Sequence, residues 1–305
     1  MDFPRNARKF LHKIQPDFIV IVKYEFWINH LKEAFWRNIP VIYLSAIFKK
    51  DQVYFNRGSG LYIPVFRNIE HFFVQNTSSM EILQQHKINQ VTVSGDTRFD
   101  RVHQIASSSK KLELIEKFLG NRDCIVVGSA WNSDLDIIAP FLKEISGHLK
   151  IIIAPHNIDE ENILEMEKEF PDSIRYTDFN GDENIPVLIV NNMGMLSSLY
   201  RYAKYAIIGG AFKGTLHNTL EAAVYGIPLF FGNHENNRKF EEALNLLRLG
   251  GAFTFSTSDE LKKRLGELED HPEKYQKAAS VSKKFVAENT GATEIVLNYL
   301  QKYLP

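Results

Sequence analysis

Residues 205–232 read YAIIGGAFKGTLHNTLEAAVYGIPLFFG, and this stretch decides the fold. The short apolar segments at its start and its end are typical of buried parallel strands. Between them a helix is predicted to begin near His217 and Asn218. The connecting loop contains three glycines: Gly209, Gly210 and Gly214. The stretch therefore predicts one strand–loop–helix–strand unit, the repeating element of a doubly wound α/β sheet.

The loop of this unit has the features of a phosphate site. Glycine lets the backbone approach a ligand closely, and the start of the following helix offers unpaired N–H groups and the positive end of its dipole. Glu221 lies three residues after Asn218, so its carboxylate is expected to accept hydrogen bonds from ribose hydroxyls. The pattern favours a nucleotide, although it is neither a Walker loop nor GxGxxG, and packing of the glycines alone is the other interpretation.

The composition is that of two globular domains. The chain has 305 residues, of which 44% are apolar, and this is enough for two cores of ordinary size. The formal net charge of −1 predicts no general attraction to nucleic acid or to an anionic membrane. Cys124 is the single cysteine, so an internal disulfide is excluded and a buried thiol is expected. No apolar stretch reaches the roughly 20 residues that span a bilayer, and no signal peptide is visible, so a soluble, cytosolic chain is predicted.

Strand and helix patterns alternate along the chain. Four strands are predicted in the first part, at 18–22, 41–44, 72–75 and 91–94. Six more are predicted in the second part, at 125–127, 151–153, 174–176, 187–190, 206–208 and 229–231. Repeated βα units with apolar strands predict parallel sheets that are covered on both faces.

The segment 107–111, rich in serine and lysine, is the best internal boundary. The predicted fold is therefore α/β, with two Rossmann-like, doubly wound domains that face each other across a cleft. They are expected to span residues 1–106 and 107–305, with the last helix crossing back to the first domain. With four predicted strands against six, the first domain is expected to be incomplete and to lack its leading βα units.

Six motifs together carry a family resemblance. They are KYEFWIN (23–29), SGDTRFD (94–100), GSAW (128–131), APHN (154–157), NNMGMLSSLY (191–200) and GGAFKGTLHNTLEAAVYGIPLFFG (209–232). In this order the chain resembles the 3-deoxy-D-manno-octulosonic acid (Kdo) transferases of lipopolysaccharide assembly, most of all those of Bacteroidetes-type bacteria. The resemblance implies a GT-B glycosyltransferase and metal-independent transfer of Kdo from CMP-Kdo to a lipid A precursor of the lipid IVA type. It needs no other cofactor.

The resemblance assigns catalytic roles to two residues of the N-terminal, acceptor-side domain. Glu25 matches a family carboxylate that supports the transition state, and Trp27 is its companion aromatic residue. Arg98 stands where the family usually has lysine, so a positive charge is kept on a planar guanidinium.

The C-terminal domain is expected to bind the nucleotide sugar. Pro155 and His156 match a Pro-Arg pair of the family, in which His156 departs from arginine, and residues 193–195 match Met-Gly-Glu, in which Met195 departs from glutamate. Residues 218–221 match Asn-x-Leu-Glu. The predicted nucleotide-sugar residues are Ser129, Pro155, His156, Met193, Gly194, Met195, Gly209, Gly210, His217, Asn218, Thr219, Leu220 and Glu221.

The family's general base, a glutamate in a Gly-Glu motif, is not found among these residues. In the family it lies in the opening part of the first domain, together with a hydrophobic segment that associates with the membrane. We therefore expect this sequence to begin partway through that domain and to be inactive alone. The full protein is expected at the cytoplasmic face of the inner membrane, which it contacts through that segment.

Two other functions remain open at the level of sequence. The first is another GT-B nucleotide-sugar enzyme, such as a UDP-sugar transferase or a 2-epimerase, and the second is a non-catalytic fragment that binds a nucleotide. Structural roles are also open for single residues. Glu25 is a candidate ion-pair partner of Lys23, and Arg98 of Asp96 or Asp100, while Met193 and Met195 are candidate core residues.

Overall fold

The computed structural model describes residues 1–23, 25–56 and 60–303, and the chain divides into two compact units. The first unit comprises Met1–Asp100 and the segment from Asn289 onward, and the second comprises Arg101–Glu288.

The described strands form two parallel sheets, one in each unit. The four strands of the first unit are β1 (Ile19–Val22), β2 (Val41–Ala46), β3 (His71–Val74) and β4 (Val91–Val93), hydrogen-bonded in this order. The seven strands of the second unit are β5 (Cys124–Ala130), β6 (Lys150–Pro155), β7 (Ser173–Arg175), β8 (Val187–Ile189), β9 (Ala203–Ile208), β10 (Leu229–Gly232) and β11 (Ala252–Phe255).

Helices connect the strands along the described chain. They are α1 (Pro4–Ile14), α2 (Ile28–Trp36), α3 (Tyr62–Phe66), α4 (Thr77–Gln85), α5 (Thr97–Ser108), α6 (Glu113–Leu119), α7 (Asn132–Ile145), α8 (Glu160–Glu169), α9 (Leu196–Leu199), α10 (Leu220–Ala223), α11 (Glu241–Leu249), α12 (Ser258–Glu269), α13 (Pro272–Glu288) and α14 (Ala292–Leu300). The predicted boundary after residue 106 lies inside α5, which continues through the serine-rich segment to Ser108.

The core of the first unit is aromatic. The ring of Phe26 stacks on Tyr43 at 4.8 Å between centroids, and Tyr43 stacks on Phe72 at 5.2 Å. Such rings bury a large apolar area and fix their neighbours in place. The Tyr43 hydroxyl also donates a hydrogen bond to the backbone oxygen of Glu25, at 2.8 Å. The core therefore holds the segment that follows β1 against β2.

Within the first unit, helix α14 packs on the sheet through Val296 and Leu300, which contact Ile42 of β2 and Phe73 of β3. Its start is held by the Asp100 carboxylate. That group accepts hydrogen bonds from the backbone N–H of Gly291 at 2.5 Å and from that of Thr293 at 2.8 Å. A carboxylate that satisfies free N–H groups at a helix start stabilises the helix.

The strand order of the second unit defines where a ligand is expected. The order is β11-β10-β9-β5-β6-β8-β7, and every pair is parallel. From β5 the chain proceeds outward to β6, goes on to β7 at the edge and comes back to β8 between them, and it then builds β9, β10 and β11 on the other side. The order therefore reverses between β5 and β9. In open α/β sheets, ligands bind at the carboxyl ends of the strands at such a switch point.

Ten of these strands match the ten predicted segments, but β11 was not predicted. Its sequence is only AFTF, it follows two glycines, and its central residues are partly exposed. It lies at the edge of the sheet and pairs with β10 alone. A short edge strand has too little alternation of apolar residues to be recognised, and its pairing to β10 decides its conformation.

Gly128→Ala is expected to lower the free energy of unfolding by about 1–3 kcal/mol, because β5 and the residues around α9 are closely packed. The added Cβ would lie 1.8 Å from the Tyr200 hydroxyl oxygen and 2.9 Å from Cδ1 of Leu196. The matched control is Gly266→Ala in α12, where no heavy atom lies within 4 Å of the added Cβ. It is expected to raise the free energy of unfolding by about 0.5–1 kcal/mol. Urea unfolding measures both changes, and a Gly128→Ala protein as stable as the wild type would contradict this packing.

Candidate functional site

Two loops meet at the switch point of the second unit, one after β5 and one after β9. The loop after β9 contains a single 3₁₀ turn, Ala211–Lys213, and closes where the His217 N–H donates to the Gly209 oxygen at 3.2 Å. A Cβ on Gly209 would lie 2.3 Å from the backbone oxygen of Ser129, so a side chain is excluded at this position. The predicted residues Ser129, Gly209 and Gly210 are therefore neighbours.

The Asp134 carboxylate joins the two loops. The same oxygen, Oδ2, accepts hydrogen bonds from the Gly210 N–H at 2.8 Å and from the Trp131 N–H at 3.0 Å. Asp134 is only 3% exposed, and burial raises the pKa of its carboxyl although both N–H groups act to lower it. Asp134 was not predicted. The sequence did contain a signal for it. Trp131 is the N-cap of α7 and Asp134 is the third residue of the helix, a position at which an acidic side chain often caps the N-cap backbone N–H.

Three rings form a group that we call the aromatic cluster: Trp131, His156 and His217. The Trp131 Nε1–H donates to Nε2 of His217 at 3.0 Å. The His156 ring lies over both of the others, with centroids 4.2 Å from Trp131 and 4.6 Å from His217. Two histidines from distant motifs, both predicted as site residues, are thus in contact.

The cluster has a cationic neighbour that was not predicted. Nζ of Lys213 lies 4.2 Å from the centroid of the Trp131 ring, which is within the range of a cation–π interaction. His217 is half-buried, and burial lowers the pKa of its imidazole, with a smaller lowering from His156. The ordinary pKa is 6.5, so His217 is neutral at pH 7. At this edge of the sheet the ammonium group of Lys213 therefore supplies positive charge and the His217 ring adds none.

The Glu221 carboxylate is the second feature of the switch point. Its Oε1 accepts a hydrogen bond from the Asn218 side-chain amide at 3.1 Å, and its Oε2 accepts one from the Ser197 hydroxyl at 2.8 Å. Ser197 lies in α9, which directly follows residues 193–195. The predicted segment 218–221 therefore meets α9, the helix that follows the predicted segment 193–195. Ser197 was missed because one serine in a short polar run gives no signal of its partner.

The helix after the loop is shorter than predicted. α10 begins at Leu220 rather than near His217 and has 4 residues. So short a helix has a small macrodipole, and the predicted contribution of a helix start to phosphate binding is weaker than expected. Leu220 itself is fully buried in the core, so its side chain serves packing.

The remaining predicted residues differ in exposure. Met193 is 83% exposed, so it is not a core residue, whereas Met195 is partly buried. Gly194 between them is exposed and has a φ of 86°. Pro155 ends β6 and precedes the exposed His156. The Thr219 hydroxyl is buried and has no hydrogen-bond partner in the part of the chain that the structure describes. A ligand group is one way to satisfy such a hydroxyl.

In the first unit, Glu25 and Arg98 are held by different partners. Glu25 is exposed after β1 and accepts a hydrogen bond from the Trp27 indole N–H at 2.7 Å. Arg98 forms an ion pair with the buried Asp96 at 2.8 Å, and Lys23 approaches the same carboxylate at 3.4 Å. Burial raises the pKa of Asp96, but Arg98 and Lys23 together hold it below its ordinary value. Asp96 was not predicted as a site residue.

Two absences are noted for the described residues alone. None of the helices is long and apolar enough to cross a bilayer. Within ranges 1–23, 25–56 and 60–303, no group of three or more His, Cys, Asp or Glu side chains is placed to hold a metal ion.

Asp134→Ala is expected to lower the free energy of unfolding of the second unit by about 1–3 kcal/mol, because it leaves two backbone N–H groups without their acceptor. The matched control is Asp136→Ala, an exposed position two residues along the same helix, which is expected to change it by less than about 0.5 kcal/mol. Urea unfolding compares the two. Equal stability of both variants would contradict the linking role of Asp134.

Known proteins resemble this chain at the levels of both sequence and fold. A family model described as 3-deoxy-D-manno-octulosonic-acid transferase (kdotransferase) matches residues 1–101. A transferase of this name from Aquifex aeolicus is 26% identical over 273 residues, which cover 88% of this chain and 70% of the relative. Another from Haemophilus influenzae is 22% identical over 316 residues, covering 100% of this chain and 74% of the relative.

Solved structures of low sequence identity show the fold alone. UDP-GlcNAc 2-epimerase from Neisseria meningitidis, bound to UDP-GlcNAc, has a TM-score of 0.65 at 15% identity and covers 98% of this chain and 80% of its own. The S. aureus MnaA–UDP structure has a TM-score of 0.64 at 12% identity, with 99% and 80% covered. The fold is therefore α/β of the GT-B class. In sequence, residues 1–101 match the model of the 3-deoxy-D-manno-octulosonic acid transferase family, and the chain over most of its length is similar to transferases of that name.

Proposed function

We propose that the second unit binds CMP-Kdo and that the protein transfers Kdo from this donor to a lipid A precursor of the lipid IVA type. Sequence similarity supports the reaction, since the curated relatives carry the name of the Kdo transferase. The observation that carries the proposal is the pair of hydrogen bonds that Glu221 accepts, one from Asn218 of the segment 218–221 and one from Ser197 of α9, the helix that follows residues 193–195. The resemblance assigns both segments to the nucleotide.

Glu221 is proposed to bind the ribose. A carboxylate has about four acceptor positions, and Asn218 and Ser197 use two of them while fixing the group in place. The two ribose hydroxyls of a cytidine nucleotide are donors of matching number. Because no side-chain rotation is needed on binding, the loss of entropy is small.

The loop after β9 is proposed to bind the phosphate. When the sugar leaves cytidine monophosphate, the transition state is cation-like at the sugar, and negative charge builds on the departing phosphate. Donors and cations fixed beforehand stabilise that charge. At this edge of the sheet the aromatic cluster supplies the His217 ring, and Lys213 supplies the ammonium group.

In the first unit, Glu25 is proposed to stabilise the sugar cation or to orient the acceptor, with Trp27 fixing its carboxylate. Arg98 is proposed as the supporting cation, positioned by Asp96. The resemblance places the general base ahead of the residues matched here. For these 305 residues we therefore propose donor binding. Independence from metal ions and action at the cytoplasmic face of the inner membrane belong to the same proposal.

Isothermal titration is expected to show binding of CMP in preference to UMP and UDP. Glu221→Ala is expected to weaken CMP binding at least about tenfold, because the ribose hydroxyls lose a charged acceptor worth roughly 1.5–3 kcal/mol. Glu161→Ala, at an exposed position of the same unit, is the matched control and should bind CMP as the wild type does.

A preference of the wild type for UMP or UDP would instead favour a UDP-sugar enzyme. No binding of any of the three nucleotides would contradict donor binding by this unit. If CMP binds, a chain extended by the family's preceding segment should transfer Kdo in the presence of EDTA, whereas dependence of that activity on added metal would contradict the proposed mechanism.

A further inference from the structure

The hydrogen bond between Trp131 and His217 fixes where the proton of His217 lies. Indole Nε1–H is a donor only, and it donates to Nε2 of His217 at 3.0 Å. That nitrogen must therefore present a lone pair. A neutral imidazole with a free lone pair on Nε2 carries its hydrogen on Nδ1. Protonation of Nε2 would bring two hydrogens face to face and would break the bond to Trp131.

The Nδ1–H of His217 is left as an unused donor. Across residues 1–23, 25–56 and 60–303, no hydrogen bond involves this atom, although the ring is half-buried. Nδ1 is not one of the fully buried polar atoms of the described residues, so it is open to solvent or to a ligand. The ring has little freedom to turn away, since His156 lies over it and Gly210 borders its Cδ2 edge.

The charged and titratable groups around the ring favour an anionic acceptor. His156, at the end of β6, covers one face of the cluster, and Lys213 of the 3₁₀ turn lies on Trp131. Asp134, in the first turn of α7, is turned to the backbone and already accepts two N–H groups. An anionic oxygen is thus the acceptor that these surroundings would stabilise.

We propose that His217, as a neutral imidazole, donates its Nδ1–H to a phosphate oxygen of the bound nucleotide, and that Trp131 is the positioning residue that fixes this tautomer. This assignment rests on the proposed function, because the phosphate is that of the CMP leaving group. No proton is transferred. The bond strengthens as charge builds on the phosphate, and Lys213 supplies the compensating charge. A neutral donor also keeps its role unchanged above pH 6.5, the ordinary pKa of the imidazole.

The tautomer is tested directly by ¹⁵N NMR of the histidine-labelled chain. In the wild type, His217 is expected to show a protonated Nδ1 and an unprotonated Nε2 at pH 7.5, and addition of CMP should shift the Nδ1–H signal. Trp131→Phe removes the indole N–H and keeps a ring, so His217 is expected to populate the Nε2–H tautomer and to gain a higher pKa. A merely structural tryptophan would change neither signal.

Two substitutions of His217 separate the two ring nitrogens. The amide nitrogen of asparagine is two bonds from Cβ, as Nδ1 is, whereas that of glutamine is three bonds away, as Nε2 is. His217→Asn is therefore expected to keep CMP affinity within about threefold, and His217→Gln to lose roughly tenfold or more, since a hydrogen bond to a charged group is lost. Cytidine, which has no phosphate, should bind all three proteins equally.

The outcomes distinguish this assignment from the proposed function. The assignment is overturned, and donor binding stands, if His217→Gln binds CMP as tightly as the wild type does. The same holds if the NMR spectrum of the unliganded wild type shows the proton of His217 on Nε2. A loss seen with CMP-Kdo but not with CMP would place the acceptor on the sugar carboxylate and would also overturn it. If the wild type binds no nucleotide, both fail together.

Discussion

The buried carboxylate of Asp134 is the interaction on which the site depends. One of its oxygens accepts the N–H groups of Trp131 and Gly210, and these residues belong to loops that are far apart in the chain. Without that acceptor the two N–H groups would be unsatisfied within a closely packed region, at a total cost of about 1–3 kcal/mol. The carboxylate therefore sets the distance between the loop after β5 and the loop after β9.

The remaining geometry of the second unit follows from this link. With Trp131 fixed, its indole N–H reaches His217, and the stacked His156 completes the aromatic cluster. The strand order places the cluster at the point where the sheet reverses direction, which is where nucleotides bind in doubly wound sheets. Glu221 has a separate support from Asn218 and Ser197. The site thus consists of two fixed groups, one suited to an anion and one to hydroxyl donors.

The parallel sheets were predictable from sequence because buried strands read as apolar runs separated by helical patterns. The loop glycines were also informative, since Gly209 packs against backbone and excludes a side chain. The roles of Asp134, Ser197 and Lys213 were not predictable, because each depends on a partner far away in the chain. The start of α10 was predicted too early, because the local sequence pattern does not show that the residues before Leu220 belong to a tight loop.

The most direct test of nucleotide binding at the switch point is a ¹⁵N–¹H spectrum of the labelled chain with increasing CMP. We predict that amide signals of Gly209, Gly210 and the residues around Glu221 shift together with one dissociation constant, while those of the outer strand β11 stay in place. Shifts confined to other parts of the second unit, or an unchanged spectrum at millimolar CMP, would contradict a nucleotide site between β5 and β9.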